Sequence, residues 1–254
     1  MPPHKKTMLE ARLRKRLRIL GLSTFDEYTE YLFSPEGMKE ELVSMIDVVT
    51  TNKTDFFREA AHFDFMNEVA LPHLINNYRI GLDRPLRVWS AGCSSGEEAY
   101  TLAMVLSEMA EAIPGFDFSI LATDISTVVL EKARQGIYSM ERVEPVELSL
   151  KKKYLLRSKG DQKSLVRVIP ELRSKVTFRR LNFLDSDFGV SQSMDIIFCR
   201  NVIIYFDQPT QKKLLSKLAG HLETDRYIFM GHSETLNGLN LPLTQVAPSV
   251  YRKN

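Results

Sequence analysis

Leu9, Leu13, Leu17 and Leu20 recur at spacings of four, four and three, the repeat of one helix face, and Gly21 ends the run. The other faces of this first predicted helix are basic. Phe25, Tyr28 and Leu32, following Ser23 or Thr24, predict a second helix. A third runs from Glu36 through Leu42, Met45 and Ile46, and residues 52–77 read as further helix broken near Pro72. No convincing strand precedes residue 80, so the pattern predicts a small all-α N-terminal domain over residues 1–80.

From Pro85 the periodicity changes. Residues 86–91 form a short apolar run leading into Gly92-Cys93-Ser94-Ser95-Gly96, and residues 97–112 place Ala99, Leu102, Ala103 and Leu106 on one helical face. Residues 118–123 predict a second strand ending at Asp124, with a helix over 128–135 after it. Later come strands at 176–181, 194–199 and 227–231, and a helix over 210–222. Strands apolar enough to be buried on both faces, alternating with helices, imply an α/β domain over residues 81–254 with a parallel, doubly wound, Rossmann-like sheet. The stretch 139–174 breaks the alternation. It holds a charged helix (144–153), then 154–157 and 165–168 around a Lys159-Gly160-Asp161 turn, which reads as an inserted β-hairpin.

Composition narrows the class. With 254 residues, 44% hydrophobic and 26% charged, the chain is an ordinary globular protein long enough for one large domain or a large and a small one. No apolar run approaches the roughly 18 residues of a membrane span. The N-terminal residues lack the apolar core of a secretory signal, so the expected address is the cytoplasm. Cys93 and Cys199 are too few for a disulfide framework or a cysteine zinc site, and the histidines show no metal-ligand spacing. The net charge of +2 is unevenly spread: residues 1–21 carry seven Lys or Arg against Glu10 alone, which leaves −4 on the remainder.

A glycine loop directly after the first strand of such a sheet is where a cofactor binds, because the backbone must approach the ligand closely. Gly92-x-x-x-Gly96 matches neither a dinucleotide fingerprint nor a phosphate-binding loop, and a plain tight turn is the alternative. Asp124, at the end of the second strand, is placed to accept both ribose hydroxyl hydrogens, unless it only caps the following helix. Together they fit an adenosyl ligand without phosphates, of which S-adenosylmethionine (SAM) is the common one.

Five blocks then make a specific resemblance. Thr51-Asn52-Lys53-Thr54-Asp55-Phe56-Phe57-Arg58-Glu59, residues 89–100 around the glycine loop, Thr123-Asp124-Ile125-Ser126, residues 197–206 containing Arg200-Asn201 and Tyr205, and Gly231-His232-Ser233-Glu234 resemble, in order, the signature segments of the CheR family of chemotaxis receptor glutamate O-methyltransferases. The resemblance spans about Arg12 to Val250. It implies a class I SAM-dependent methyltransferase fold, with S-adenosylhomocysteine as product and no metal. It further implies that Asn52, Thr54 and Arg58 reach the methionine end of the cofactor or the transfer site, and that Ala91 and Gly92 line the cofactor. Glu98 contacts the amino-acid end, Asp124 the ribose, Asn182 and Phe183 the adenine, and Arg200 and Asn201 the methionine end. Tyr205 lies near the transferred methyl, and Arg58 and Tyr205 are the expected catalytic pair. Ser95 and Ala99 stand where many relatives carry Thr and Pro, and longer relatives have one more N-terminal helix.

Blander readings stand beside these. Thr54 and Asp55 fit a helix cap, Phe56, Phe57 and Phe183 fit a core, and Glu97 fits a solvated first helical turn. His232 fits a structural hydrogen bond as well as substrate positioning. Since a glutamate carboxylate is ionised at neutral pH, its ordinary pKa being about 4.3, methylation of it needs positioning rather than a general base. The partners implied are acidic receptor helices meeting the basic first helix, and, in some relatives, a receptor C-terminal peptide at the hairpin insertion. Nucleic acid is not expected, because residues 200–203 lack the N-P-P-Y loop of base methylation and the −4 body offers no phosphate track. A monomer is expected. The rival readings are a nucleic-acid methyltransferase on this fold and a non-catalytic SAM-binding signalling module.

Overall fold

The structure is a computed structural model that describes residues 3–159 and 164–254, the side chains of residues 3–5 excepted. Gly160 and Asp161 of the expected hairpin turn lie outside the described residues. Four helices open the chain: α1 (Pro3–Leu20), α2 (Phe25–Leu32), α3 (Pro35–Glu40) and α4 (Leu42–Val49). Thr24 starts α2 through a reciprocal cap, its hydroxyl accepting from the Glu27 amide while the Glu27 carboxylate accepts from the Thr24 amide, both at 3.2 Å. Leu17, Tyr28 and Leu32 form a small core of their own with Leu13, Leu20, Leu42 and Met45 around it.

The single third helix expected from Glu36 onward is two helices, divided at Glu41. Its side chain is buried, held by Arg16 at 2.8 and 2.6 Å and by the Tyr28 hydroxyl at 2.9 Å. The basic character of α1 is therefore partly internal. Arg12 also turns inward and donates to the carbonyls of Val49 and Thr50 at 2.8 and 2.9 Å. Arg14, Lys15 and Arg18 stay on the exposed side.

Residues 52–60 are not helical, contrary to the periodicity. Phe57 and Glu59 have φ of 53° and 57°, and the Phe57 amide donates to the Thr101 hydroxyl rather than along a helix. Helix resumes at α5 (Ala61–Phe65) and α6 (Leu71–Tyr78). Pro72 does not break it: it occupies the first turn of α6, after a π-helical turn over Met66–Ala70. Phe56, Phe63, Met66, Leu71 and Leu74 share the core of the sheet, so packing groups this segment with the following domain.

That domain runs β1 (Leu86–Ala91), α7 (Glu97–Ala112), β2 (Phe118–Asp124), α8 (Thr127–Gln135), β3 (Ile137–Ser139), α9 (Leu148–Tyr154), β4 (Leu155–Arg157), β5 (Leu165–Val168), α10 (Pro170–Ser174), β6 (Val176–Arg180), β7 (Met194–Cys199), α11 (Gln208–Gly220), β8 (Leu222–Met230), β9 (Leu243–Ala247) and β10 (Val250–Lys253). The main sheet has the order β6-β2-β1-β7-β8-β10-β9. Its first five strands are parallel, whereas β10 runs antiparallel to both β8 and β9. The sheet is thus mixed rather than wholly parallel. The last two strands escaped the periodicity because they are short, and β9 is mostly exposed. The insertion is a three-stranded antiparallel sheet, β3-β5-β4, one strand more than a hairpin; the charged helix expected over 144–153 is α9, and α10 closes the stretch.

Alternate residues of the central strands fill two layers, as the pleat requires: Val88 and Phe198 face one core, Trp89 and Ile197 the other. The amino ends of the strands are tied off at buried Asp195, which accepts from Arg84 at 2.7 Å twice and from the Arg87 amide at 2.9 Å. The carboxyl ends carry the glycine loop and its neighbours. Among the described residues no helix is long and apolar enough to cross a membrane.

Candidate active site

Ala91 is the buried last residue of β1, and the chain turns at once through Gly92, whose φ is +90°. A Cβ there would stand 2.5 Å from Val202 Cγ2 and 4.0 Å from Phe183 Cε2, so only glycine lets the loops after β1, β6 and β7 converge. The amides of Gly92 and Cys93 both donate to the Thr123 carbonyl at 2.8 Å. Asp124 is buried beside them and accepts from the Ser94 amide at 2.8 Å and the Ser126 amide at 2.9 Å. It does not cap α8; Ser126 does. Burial pushes its carboxyl above the usual aspartate range, opposed by these amides. Each oxygen retains a lone pair for a further donor.

Leu181 donates to the Asp124 carbonyl at 2.9 Å, which brings Asn182 and Phe183 to the same edge. Asn182 accepts from the Leu184 amide at 3.0 Å, and Phe183 packs on Phe188. Glu98, in the first turn of α7, accepts from the Ser90 hydroxyl at 2.6 Å and lies 3.6 Å from Arg200 Nε; desolvation raises its pKa and Arg200 opposes the rise.

The segment 52–59 is fastened across this edge. The Asn52 carbonyl accepts from the Ser94 hydroxyl at 3.0 Å, while its side-chain amide turns back to Thr50. Thr54 is buried and its carbonyl accepts from Arg142 of the insertion at 2.8 Å; neither it nor Asp55 caps a helix, since α5 begins later, at Ala61. Arg200, buried at the end of β7, donates to the Arg58 carbonyl and lies 3.5 Å from Glu59 Oε2. Two left-handed non-glycine residues therefore flank Arg58, a strained arrangement that the surrounding contacts hold in place. The Arg58 side chain is 34% exposed, with one bond to the Lys53 carbonyl at 3.2 Å and Glu59 3.9 Å away.

Glu59, His62 and His232 bring ligand-type atoms within 4.8 Å of one another. Glu59 Oε2, 3.5 Å from His62 Nδ1 and 4.0 Å from His232 Nε2, also lies 3.5 Å from Arg200 Nε. His62 is buried, and desolvation, with Arg200 adding to it, lowers its pKa to about 4. His232 is exposed at the rim, its ring 5.0 Å from that of His62.

Asn201 follows Arg200 with φ of 58°, and its amide donates to Glu234 at 2.8 Å. Tyr205 ends the short 3₁₀ turn Ile203–Tyr205 and is 56% exposed; its amide donates to the Val202 carbonyl at 3.4 Å, and its side chain makes no hydrogen bond among the described residues. It shares none of the contacts that tether Arg58 among the described residues. Glu97 departs from expectation: it is buried, accepts from the Ser95 hydroxyl at 2.7 Å and lies 3.8 Å from Arg142, because the insertion packs over the start of α7, where Tyr138 also donates to the Ser95 carbonyl at 2.7 Å. Both cysteines are buried, and burial raises both thiols.

Glu59, His62, Arg142 and Glu234 received no role from the sequence. Glu59 and Glu234 sit inside recognised blocks, but their partners are distant in sequence. A cavity of about 430 Å³ is lined by Asp47, Asn52, Glu97, Lys132, Tyr138 and Arg142, among others; it lies beside the insertion and shares Asn52 with the expected cofactor residues, though none of Gly92, Asp124, Phe183 or Asn201 lines it.

Comparison with known proteins gives the same order of parts. The family described as "CheR methyltransferase, all-alpha domain" matches residues 1–50, and "CheR methyltransferase, SAM binding domain" matches 52–251. A chemotaxis protein methyltransferase of Borreliella burgdorferi is 43% identical over 98% of this chain and 87% of its own length. Chemotaxis protein methyltransferase 2 of Pseudomonas aeruginosa is 41% identical over 97% and 85%, and the chemotaxis protein methyltransferase of Escherichia coli 41% identical over 98% and 83%. With glycine loop, strand-end carboxylate and helical module in this arrangement, the chain belongs to the CheR methyltransferase family.

Proposed function

We propose that this protein transfers a methyl group from SAM to glutamate side-chain carboxylates of chemoreceptors, giving glutamyl methyl esters and S-adenosylhomocysteine. The observation that carries this reading is the convergence, on the carboxyl ends of β1, β2 and β7, of a side-chain-free glycine cradle, a buried carboxylate and an arginine-bearing loop. These residues suit the cofactor. Gly92 permits close approach, Asp124 has acceptor capacity for a ribose, and Arg200 Nη1 is buried without a hydrogen-bond partner among the described residues, as a binding site for the cofactor's carboxylate requires. SAM, when bound, supplies a methyl already activated on a sulfonium, so a carboxylate nucleophile needs no base.

The chain's own groups then orient the reactants. Holding two of them in a near-attack geometry is worth roughly 7–11 kcal/mol. Arg58 has its guanidinium shared with the Lys53 carbonyl and Glu59, so it steers an incoming carboxylate without saturating its oxygens. Tyr205, at the rim, bounds the acceptor's approach. Arg14, Lys15 and Arg18 form the exposed cationic face of α1 suited to acidic receptor helices in the cytoplasm. The names of the relatives support chemoreceptors as the acceptor class.

The test is incubation with methyl-labelled SAM and candidate receptors, followed by mild alkali. Volatile methanol from the receptor is the expected result; base-stable label, or label on RNA, overturns the reading.

A further inference from the structure

Glu234 stands on the turn after β8 and is buried, yet among the described residues no ion pair or side-chain donor holds it. Its carboxylate instead accepts three backbone amides: Asn201 and Gly231 on Oε2, and Ile203 on Oε1, each at 2.8 Å. Two of the three donors belong to the loop after β7, which carries Arg200, Asn201 and Tyr205. Asn201 occupies the left-handed region at φ 58°, a conformation asparagine tolerates at some cost and that a fixed acceptor secures. The third donor closes the glutamate's own turn, in which the Glu234 amide also donates to the Gly231 carbonyl at 2.9 Å. The carboxylate thus fastens the loop after β7 to the turn after β8, two strands that are parallel neighbours in the sheet.

Gly231 shapes the same junction from the other side. A Cβ there would stand 2.5 Å from Asn201 Nδ2 and 2.9 Å from both the Asn201 amide nitrogen and Glu234 Oε2. Only an ionised carboxylate meets all three amides. It offers acceptors on both oxygens, whereas an amide side chain turns an NH₂ against at least one N–H.

We propose that Glu234 is a positioning residue for methyl transfer, fixing the backbone of residues 201–203 so that Asn201 and Tyr205 are presented to the cofactor and the acceptor. This rests on the function proposed above. Glu234 touches no reactant; it acts through the three amides.

The test compares wild type with Glu234→Gln and, as an independent route to the same displacement, Gly231→Ala. Three readouts are taken: SAM affinity by calorimetry, kcat and KM per folded molecule by methanol release, and amide hydrogen exchange at Asn201 and Ile203. In both variants the expectation is a loss of about tenfold or more in kcat, weakened SAM binding, and faster exchange at these two amides, while core amides of β1 and β7 stay protected. A purely structural role lowers the melting temperature and leaves kcat, KM and SAM affinity per folded molecule within about threefold of wild type; that result overturns the proposal. If wild type methylates no receptor carboxylate, the function fails by itself, while calorimetry and exchange still decide whether Glu234 fixes this loop.

Discussion

Asp124→Asn isolates what the strand-end carboxylate contributes. The side chain is buried, with one backbone amide on each oxygen at 2.8 and 2.9 Å, so its position is set before any ligand arrives. Asparagine keeps the shape but removes the charge, and its NH₂ must face either the Ser94 or the Ser126 amide. A hydrogen bond to a charged group is worth about 1.5–3 kcal/mol, and each 1.4 kcal/mol is a factor of about ten in affinity. Loss of one ribose contact therefore predicts a Kd for SAM weaker by roughly 10–100-fold. Stability should move little. Because burial raises the folded-state pKa above the unfolded value, the ionised aspartate opposes folding at neutral pH, and removing that charge offsets the amide left without an acceptor. Titration calorimetry with SAM and with S-adenosylhomocysteine at pH 7.5, alongside thermal melts, makes the measurement. An affinity within about threefold of wild type in a variant of native melting temperature refutes the assignment of Asp124 to the ribose.

Three further perturbations probe other links. Arg58→Ala should lower kcat by about 100-fold or more, as expected when a positioning charge is removed from the transfer site; turnover and SAM affinity both within a few fold of wild type would sink its proposed role. Arg16→Ala leaves Glu41 charged and buried with only Tyr28 beside it, and should destabilise the helical module by about 3 kcal/mol in denaturant titration, whereas Arg14→Gln and Lys15→Gln should leave stability alone and weaken receptor methylation most at low salt. His62, with a folded pKa of about 4 against an unfolded value near 6.5, binds fewer protons folded than unfolded, so its contribution to stability is complete above pH 6.5 and falls as pH drops toward 4. Denaturant melts should show about 1 kcal/mol lost by pH 5.5 that is absent in His62→Gln; identical acid limbs in the two proteins would contradict this.

The central strands were legible residue by residue, because a strand buried on both faces writes a continuous apolar run: β1 and β7 fall where Leu86–Ala91 and Met194–Cys199 predict them. The glycine loop and Asp124 were legible because a sharp turn after a buried strand and a carboxylate at the next strand's end are local patterns. Residues 52–60 were not. Their apolar spacing suits a helix, and what prevents one is a set of remote partners: the hydroxyls of Thr101 and Ser94 and the guanidinium of Arg200. The same holds for the basic first helix, where spacing cannot tell that Arg12 and Arg16 serve Val49, Thr50 and Glu41 while Arg14, Lys15 and Arg18 face outward. Glu97 looked like a solvated helix start until the insertion covered it. By itself the sequence determined the five parallel strands, the crossovers between them and the kind of ligand their ends admit, since each depends on neighbours within a few residues, whereas β3, β9 and β10 were not legible in it. Only the tertiary structure decided which charges face one another, because charge pairing, burial and the strain at Phe57, Glu59 and Asn201 depend on groups brought together across tens to more than a hundred residues of chain.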